Sequence, residues 1–198
     1  MALGQGQCQN LPMTAPLPHT PFTAADYLAW EATQDQRSEF IDGEVFAMAG
    51  GTLAHNNATL ATGATLRQHL KGSPCRAFVS DVKVNVQASN SLFYPDVVVA
   101  CQPGDLANAQ AQTLTEPILI AEVLSPSTAA FDRGGKFAHY RLLDSLQEYV
   151  LIDTDTPQVE VFRRNAANRW ELYPSTGLDA AVELASVGWQ GTVGDLLA

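Results

Sequence analysis

The chain has 198 residues, 46% apolar and 16% charged, which suits one folded domain with a sizeable core and excludes a disordered chain. Its formal charge of −10 excludes a protein that grips nucleic acid mainly through a basic surface, so any such contact must be local or bridged by metal ions. Three cysteines, Cys8, Cys75 and Cys101, have neither disulfide-framework nor zinc-clip spacing, and no apolar run reaches the length of a membrane span. Reduced thiols in a cytoplasmic setting are expected.

Residues 1 to 20 are rich in Gly, Gln and Pro and read as a disordered leader before a single domain over 21–198. Thr23 can cap a short helix over Ala24–Thr33. Phe40 to Met48 then reads as a hairpin around the turn pair Asp42-Gly43. Gly50-Gly51 breaks the chain before a helix from Thr52 to Leu70, which Gly72-Ser73-Pro74 stops. Val82, Val84 and Val86 alternate as a half-buried strand. The apolar runs Tyr94–Cys101 and Ile118–Leu124 read as strands buried on both faces, separated by a loop over 102–112. A helix over Asp132–Leu143 follows, then a hairpin of Tyr149–Asp153 with Val159–Arg163. Arg169–Tyr173 reads as a further strand, and Val193–Leu197 closes the chain as a short helix or turn. The order predicts an α/β (α+β) fold, a mixed central sheet flanked by helices.

Two acids break the local rules. Asp96 sits in Tyr-Pro-Asp-Val-Val-Val and Glu122 in Ile-Leu-Ile-Ala-Glu-Val-Leu. Burying an ionised carboxylate costs several kcal/mol unless it is paired or binds a metal. A shared Mg²⁺ explains both acids at once, with the Val123 carbonyl and waters completing the coordination. Lys136, Tyr140 and Leu143 share one helix face at i, i+4 and i+7. Lys136 is therefore expected to point at the strand end that carries Glu122, where it can orient a water or stabilise developing charge. The plainer alternative makes Asp132 and Lys136 a surface ion pair, with Asp96 and Glu122 as structural acids. His55 heads a helix and is a candidate further site residue, with capping or solvent exposure as the default expectation. Glu39 and Glu44 lie on the first hairpin, and either is a candidate further ligand. His69 and His139 lack ligand-spaced partners, and Ser125 and Ser127 lack a nucleophile elbow.

The segments Glu39-Phe-Ile-Asp-Gly-Glu44, Tyr94-Pro-Asp-Val97, Glu122-Val-Leu-Ser-Pro-Ser127, Asp132-x-x-x-Lys136-x-x-x-Tyr140 and Glu148-Tyr-Val-Leu-Ile-Asp153 resemble the Uma2 family. That family belongs to the restriction-endonuclease-like PD-(D/E)xK superfamily. The resemblance runs from about Phe22 to the C-terminus. It implies Mg²⁺-dependent (or Mn²⁺-dependent) hydrolysis of phosphodiester bonds, with DNA as the substrate, and a homodimer. It makes Asp96 the signature acid after Pro95 and Glu122 the second acid, and it matches Glu39 to an acid on the first hairpin. The signature lysine position is filled by Leu124, and the lysine stands instead on the next helix, as Lys136. Two other functions compete: an inactive nuclease-fold module that binds a protein partner, and a hydrolase of small phosphoesters, which suits the acidic charge.

Overall fold

The computed structural model describes residues 22–48 and 50–198; the expected leader and Cys8 lie outside the described residues. Helix α1, Ala24–Glu31, opens on a capping box in which Thr23 and Asp26 exchange hydrogen bonds. Strands β1, Ser38–Ile41, and β2, Glu44–Ala47, form the first hairpin. Its turn residues Asp42 and Gly43 both take positive φ, 49° and 96°, as a tight two-residue hairpin loop requires. Helix α2, Leu53–His69, is capped by Thr52, whose hydroxyl accepts the His55 N–H. Strands β3, Arg76–Val79, β4, Lys83–Val86, β5, Ser91–Phe93, and β6, Val97–Ala100, follow. A helical turn α3, Pro103–Leu106, and a two-residue strand β7, Thr113–Leu114, lead into β8, Pro117–Val123.

Strand β9, Glu148–Asp153, lies parallel to β8. Parallel neighbours need a crossover connection. Here it is a broken helix: α4, Ala129–Phe131, a π turn over Asp132–Lys136, and α5, Phe137–Tyr140. Strands β10, Gln158–Arg164, and β11, Trp170–Thr176, continue as antiparallel neighbours. The six-stranded sheet has the order β11-β10-β9-β8-β6-β3. A second sheet runs β2-β1-β5-β4-β7. The chain closes with the hairpin β12, Ala181–Leu184, and β13, Trp189–Thr192, and with helix α6, Val193–Leu197. The expected mixed sheet flanked by helices is the observed architecture.

Strand β8 is buried on both faces, as its unbroken apolar run requires. Leu119, Ala121 and Val123 face a core built with Ala58 and Leu66 of α2 and with Val193 and Leu196 of α6. Ile120 and Leu124 face a second core with Phe137, Tyr140, Leu143 and Leu146. Each fully buried side chain of this kind contributes roughly 1.5–3 kcal/mol. Glu122 shares the parity of Ile120 and Leu124, so it is aimed at the crossover helix.

Several expectations need correction. The strand predicted over Tyr94–Cys101 starts only at Val97. Pro95 has no N–H to give to a ladder and sits before the strand, so Asp96 stands at the strand entry and not within it. The crossover helix begins at Ala129, three residues before the expected start, and its regular part ends at Tyr140. Strand β3 and the hairpin β12–β13 were not anticipated. Each is four residues long and lacks the β-branched alternation that marks β4. The cysteine expectation is also overturned: Cys75 and Cys101 form a disulfide. The antiparallel register sets Arg76 opposite Ala100, and the next step brings these two cysteines together. Their separation of 26 residues in sequence conceals that neighbourhood.

Candidate active site

Strand register brings the two anomalous acids together. Val97 pairs with Ala121 in antiparallel β6 and β8, so one step outward Asp96 meets Glu122. The Asp96 N–H donates to Glu122 Oε2 at 3.3 Å, and the Val123 N–H donates to Asp96 Oδ2 at 2.8 Å. Glu122 is only 2% exposed.

The crossover helix lays its polar side chains over this pair. Lys136 Nζ is 3.3 Å from Glu122 Oε1, 3.0 Å from Glu39 Oε1 and 3.5 Å from Asp132 Oδ1. One turn on, the Tyr140 hydroxyl donates to the same Glu122 Oε1 at 3.1 Å. The Tyr94 N–H donates to Glu39 Oε1 at 3.3 Å. Asp132 and Lys136 are thus no surface pair: they are 2% and 8% exposed. They occupy the two ends of the π turn, a helix irregularity that recurs at functional sites. Asp132 Oδ1 is buried without a hydrogen-bond donor among the described residues.

His55 does not sit in solvent. From the first turn of α2 its Nε2 lies 3.3 Å from Asp96 Oδ2. It therefore touches Asp96, one of the groups expected to hold a cation. Glu44 is exposed on β2, and the structure leaves it out of this cluster. His69 bonds the Val187 carbonyl and His139 the Ser89 hydroxyl, both away from the acids.

Four carboxylates (Glu39, Asp96, Glu122 and Asp132) thus surround one ammonium and one imidazole. They cannot all be ionised cheaply at this separation. Burial pushes the Glu122 carboxyl well above its usual range; Lys136 opposes this, and the other three acids add to it. Burial alone would depress Lys136, but Glu122, Glu39 and Asp132 outweigh it and keep the ammonium charged. Burial raises the Tyr140 hydroxyl, which therefore stays a donor. The hydrogen bond to Asp96 raises His55 against the opposing effect of burial.

The cluster opens into a cleft of about 470 Å³ whose walls include Met48, Thr52, Ser125, Ser127 and Thr128. Among the described residues no group of three His, Cys, Asp or Glu side chains is disposed to cage a metal ion. The donors present are two neighbouring carboxylates and a backbone carbonyl. Mg²⁺ fits such a set, since it commonly binds through one or two carboxylates and keeps several waters.

Sequence reasoning missed a second buried ion pair close by, Glu31 with Lys83 at 3.0 Å. It also missed Glu148, which is fully buried and satisfied by Arg163 and by the N–H groups of Ala185 and Ser186. Glu148 heads an apolar strand and so resembles Glu122, an acid within one. Its partners are far along the chain, so sequence alone could not tell a structural acid from a site acid.

A family model described as "Putative restriction endonuclease" (Uma2) matches residues 24–194. Two uncharacterized proteins of Synechocystis sp. are similar over most of their length. One is 35% identical over 179 residues, covering 89% of this chain and 93% of that protein. The other is 37% identical over 163 residues, covering 82% and 92%. A crystal structure described as a putative nuclease of DUF820, from Anabaena variabilis, superposes with a TM-score of 0.74 at 20% identity, covering 89% of this chain and 98% of that one. That likeness carries the fold.

Proposed function

The chain belongs to the Uma2 family, and from that premise we propose that it is a metal-dependent nuclease hydrolysing phosphodiester bonds, with DNA as its substrate. The observation that carries the reading is the meeting of Asp96, Glu122 and Lys136 from two strands and the crossover helix in one cleft. Asp96, Glu122 and the Val123 carbonyl would hold Mg²⁺ or Mn²⁺. When bound, the ion supplies Lewis acidity toward a phosphoryl oxygen and lowers the pKa of its water.

The remaining roles belong to the protein. Lys136, kept charged by three carboxylates, is a fixed positive group beside the position where phosphoryl charge develops. Tyr140 and Lys136 both hold Glu122 Oε1, which orients its carboxyl and leaves Oε2 toward Asp96. His55 braces Asp96 from the opposite layer. Glu39 is a positioning acid for Lys136.

A second reading, a silent nuclease-fold module, is favoured by the placement of the lysine: its ammonium sits among the acids that would otherwise take a cation. One experiment separates the two. Mg²⁺ and Mn²⁺ are titrated calorimetrically into wild type and Asp96→Ala/Glu122→Ala, and both proteins are incubated with supercoiled plasmid and a chromogenic small phosphodiester. Binding and nicking by wild type alone support the nuclease. Cleavage of the small ester alone points to a phosphoester hydrolase. No metal binding by either protein removes the mechanism and leaves the silent module.

A further inference from the structure

A second buried polar centre stands behind the cleft. Glu31, the last residue of α1, is buried with Lys83, the first of β4. Its Oε2 takes Lys83 Nζ at 3.0 Å. Its Oε1 accepts from the Tyr27 hydroxyl at 2.6 Å, the Tyr94 hydroxyl at 3.0 Å and the Ser38 N–H at 3.3 Å. Lys83 Nζ also lies 4.9 Å from the centre of the Tyr94 ring. Both oxygens are thus satisfied, and the charge is paired.

The groups this centre grips are neighbours of the site. Ser38 immediately precedes Glu39, the acid that takes Lys136 at 3.0 Å. Tyr94 lies two residues before Asp96, and its own N–H donates to that same Glu39 Oε1. A continuous run of contacts therefore leads from Lys83 through Glu31, Tyr94 and Glu39 to Lys136. We propose that Glu31, Lys83 and the Tyr94 hydroxyl are a positioning set that fixes Glu39 and the Tyr94-Pro95-Asp96 lead-in against Lys136. The proposal rests on the nuclease reading for its consequence on rate, but not for its consequence on Lys136.

Stability alone gives little reason for such a centre. Well-packed apolar residues often replace a buried ion pair without loss. Helix α1 already docks through Tyr27 stacked on Phe40, with Leu92 beneath them. What an apolar substitute lacks is direction: it cannot hold a tyrosine hydroxyl and a backbone N–H in one fixed relation.

The test uses Tyr94→Phe, which keeps the ring and its packing, and Lys83→Met/Glu31→Gln, which leaves no unpaired charge. Three quantities are read: melting temperature, kcat and KM for plasmid cleavage with Mg²⁺, and the rate at which acetic anhydride modifies Lys136, mapped by mass spectrometry. For Tyr94→Phe the expected result is a melting temperature close to wild type, Lys136 labelled several-fold faster, and kcat lowered roughly tenfold at unchanged KM, the usual scale for a group supporting a site at one remove. Unchanged Lys136 labelling in both variants overturns the proposal whatever the rate does, and leaves the centre a staple of α1. If wild type cleaves nothing, the nuclease reading fails by itself, and the labelling still decides whether this centre positions Lys136.

Discussion

Glu122 lies on a strand whose other side chains are apolar, and burial holds its carboxyl above the usual range. An amide keeps the shape of this carboxyl and removes the charge that burial disfavours. Glu122→Gln is therefore expected to change folding stability by no more than about 1 kcal/mol, because the Tyr140 bond survives. The same change is expected to abolish calorimetric Mg²⁺ binding. Lys136→Met should behave in the opposite way. It strands three carboxylates, and removing one partner of a buried pair costs about 3–5 kcal/mol. For a chain of this size that lowers the melting temperature by on the order of 10 °C, measurable by circular dichroism. If Glu122→Gln proves the more damaging of the two, the attraction between Glu122 and Lys136 outweighs the cost of burying the carboxylate. At this scale the sequence shows an acid out of place, as at Asp96 and Glu122, but not its partners. Asp132 reads as a surface residue at i, i+4 from Lys136, because its burial is imposed by the sheet under the π turn. His55 reads as a helix-start residue, because its contact with Asp96 joins α2 to the entry of β6.

Helix α1 and edge strand β3 carry polar and covalent ties that no periodicity reveals. Burial would raise the Glu31 carboxyl, but the hydrogen bonds from Tyr27, Lys83, Ser38 and Tyr94 outweigh it and hold it below its ordinary value of 4.5. The unfolded chain then binds that proton more readily than the folded one. The stabilisation is fully present above the ordinary value and is lost as pH falls through the lower, folded value. Urea unfolding at descending pH should show wild type losing stability in that acid range, with Lys83→Met/Glu31→Gln losing less. An equal loss in both proteins would place the acid sensitivity elsewhere. The tie at β3 is the Cys75–Cys101 disulfide. Closing a loop with a sequence separation of 26 residues stabilises by about 3.5 kcal/mol through the unfolded chain. Dithiothreitol should lower the urea midpoint accordingly, and Cys75→Ser/Cys101→Ser should be insensitive to it. The long elements are legible in the sequence because capping residues, turn pairs and apolar runs agree. Strands β3, β12 and β13 owe their existence to the neighbours they pair with.

Across the whole molecule, 21 acidic residues against 11 Lys and Arg leave little positive surface with which to hold a polyanion. The cations of the cleft are Lys136, committed to three carboxylates, and His55, committed to Asp96. The apparent binding constant for DNA falls with salt in proportion to the number of phosphates neutralised, with a slope near −0.9 per phosphate. A nuclease that meets its substrate through this cleft and a bridging ion neutralises about two phosphates, so the logarithmic slope should be no steeper than about −2. Fluorescence anisotropy with a labelled oligonucleotide, in Ca²⁺ to hold back cleavage and over a range of NaCl, measures it directly. A slope of about −6 or steeper would require a basic surface on this chain well beyond the cleft and would overturn a contact limited to the cleft and a bridging ion. A shallow slope has a consequence of its own: with so little of the affinity coming from the phosphate backbone, discrimination between substrates must arise inside the cleft, from what its walls at Met48, Thr52, Ser125 and Thr128 admit.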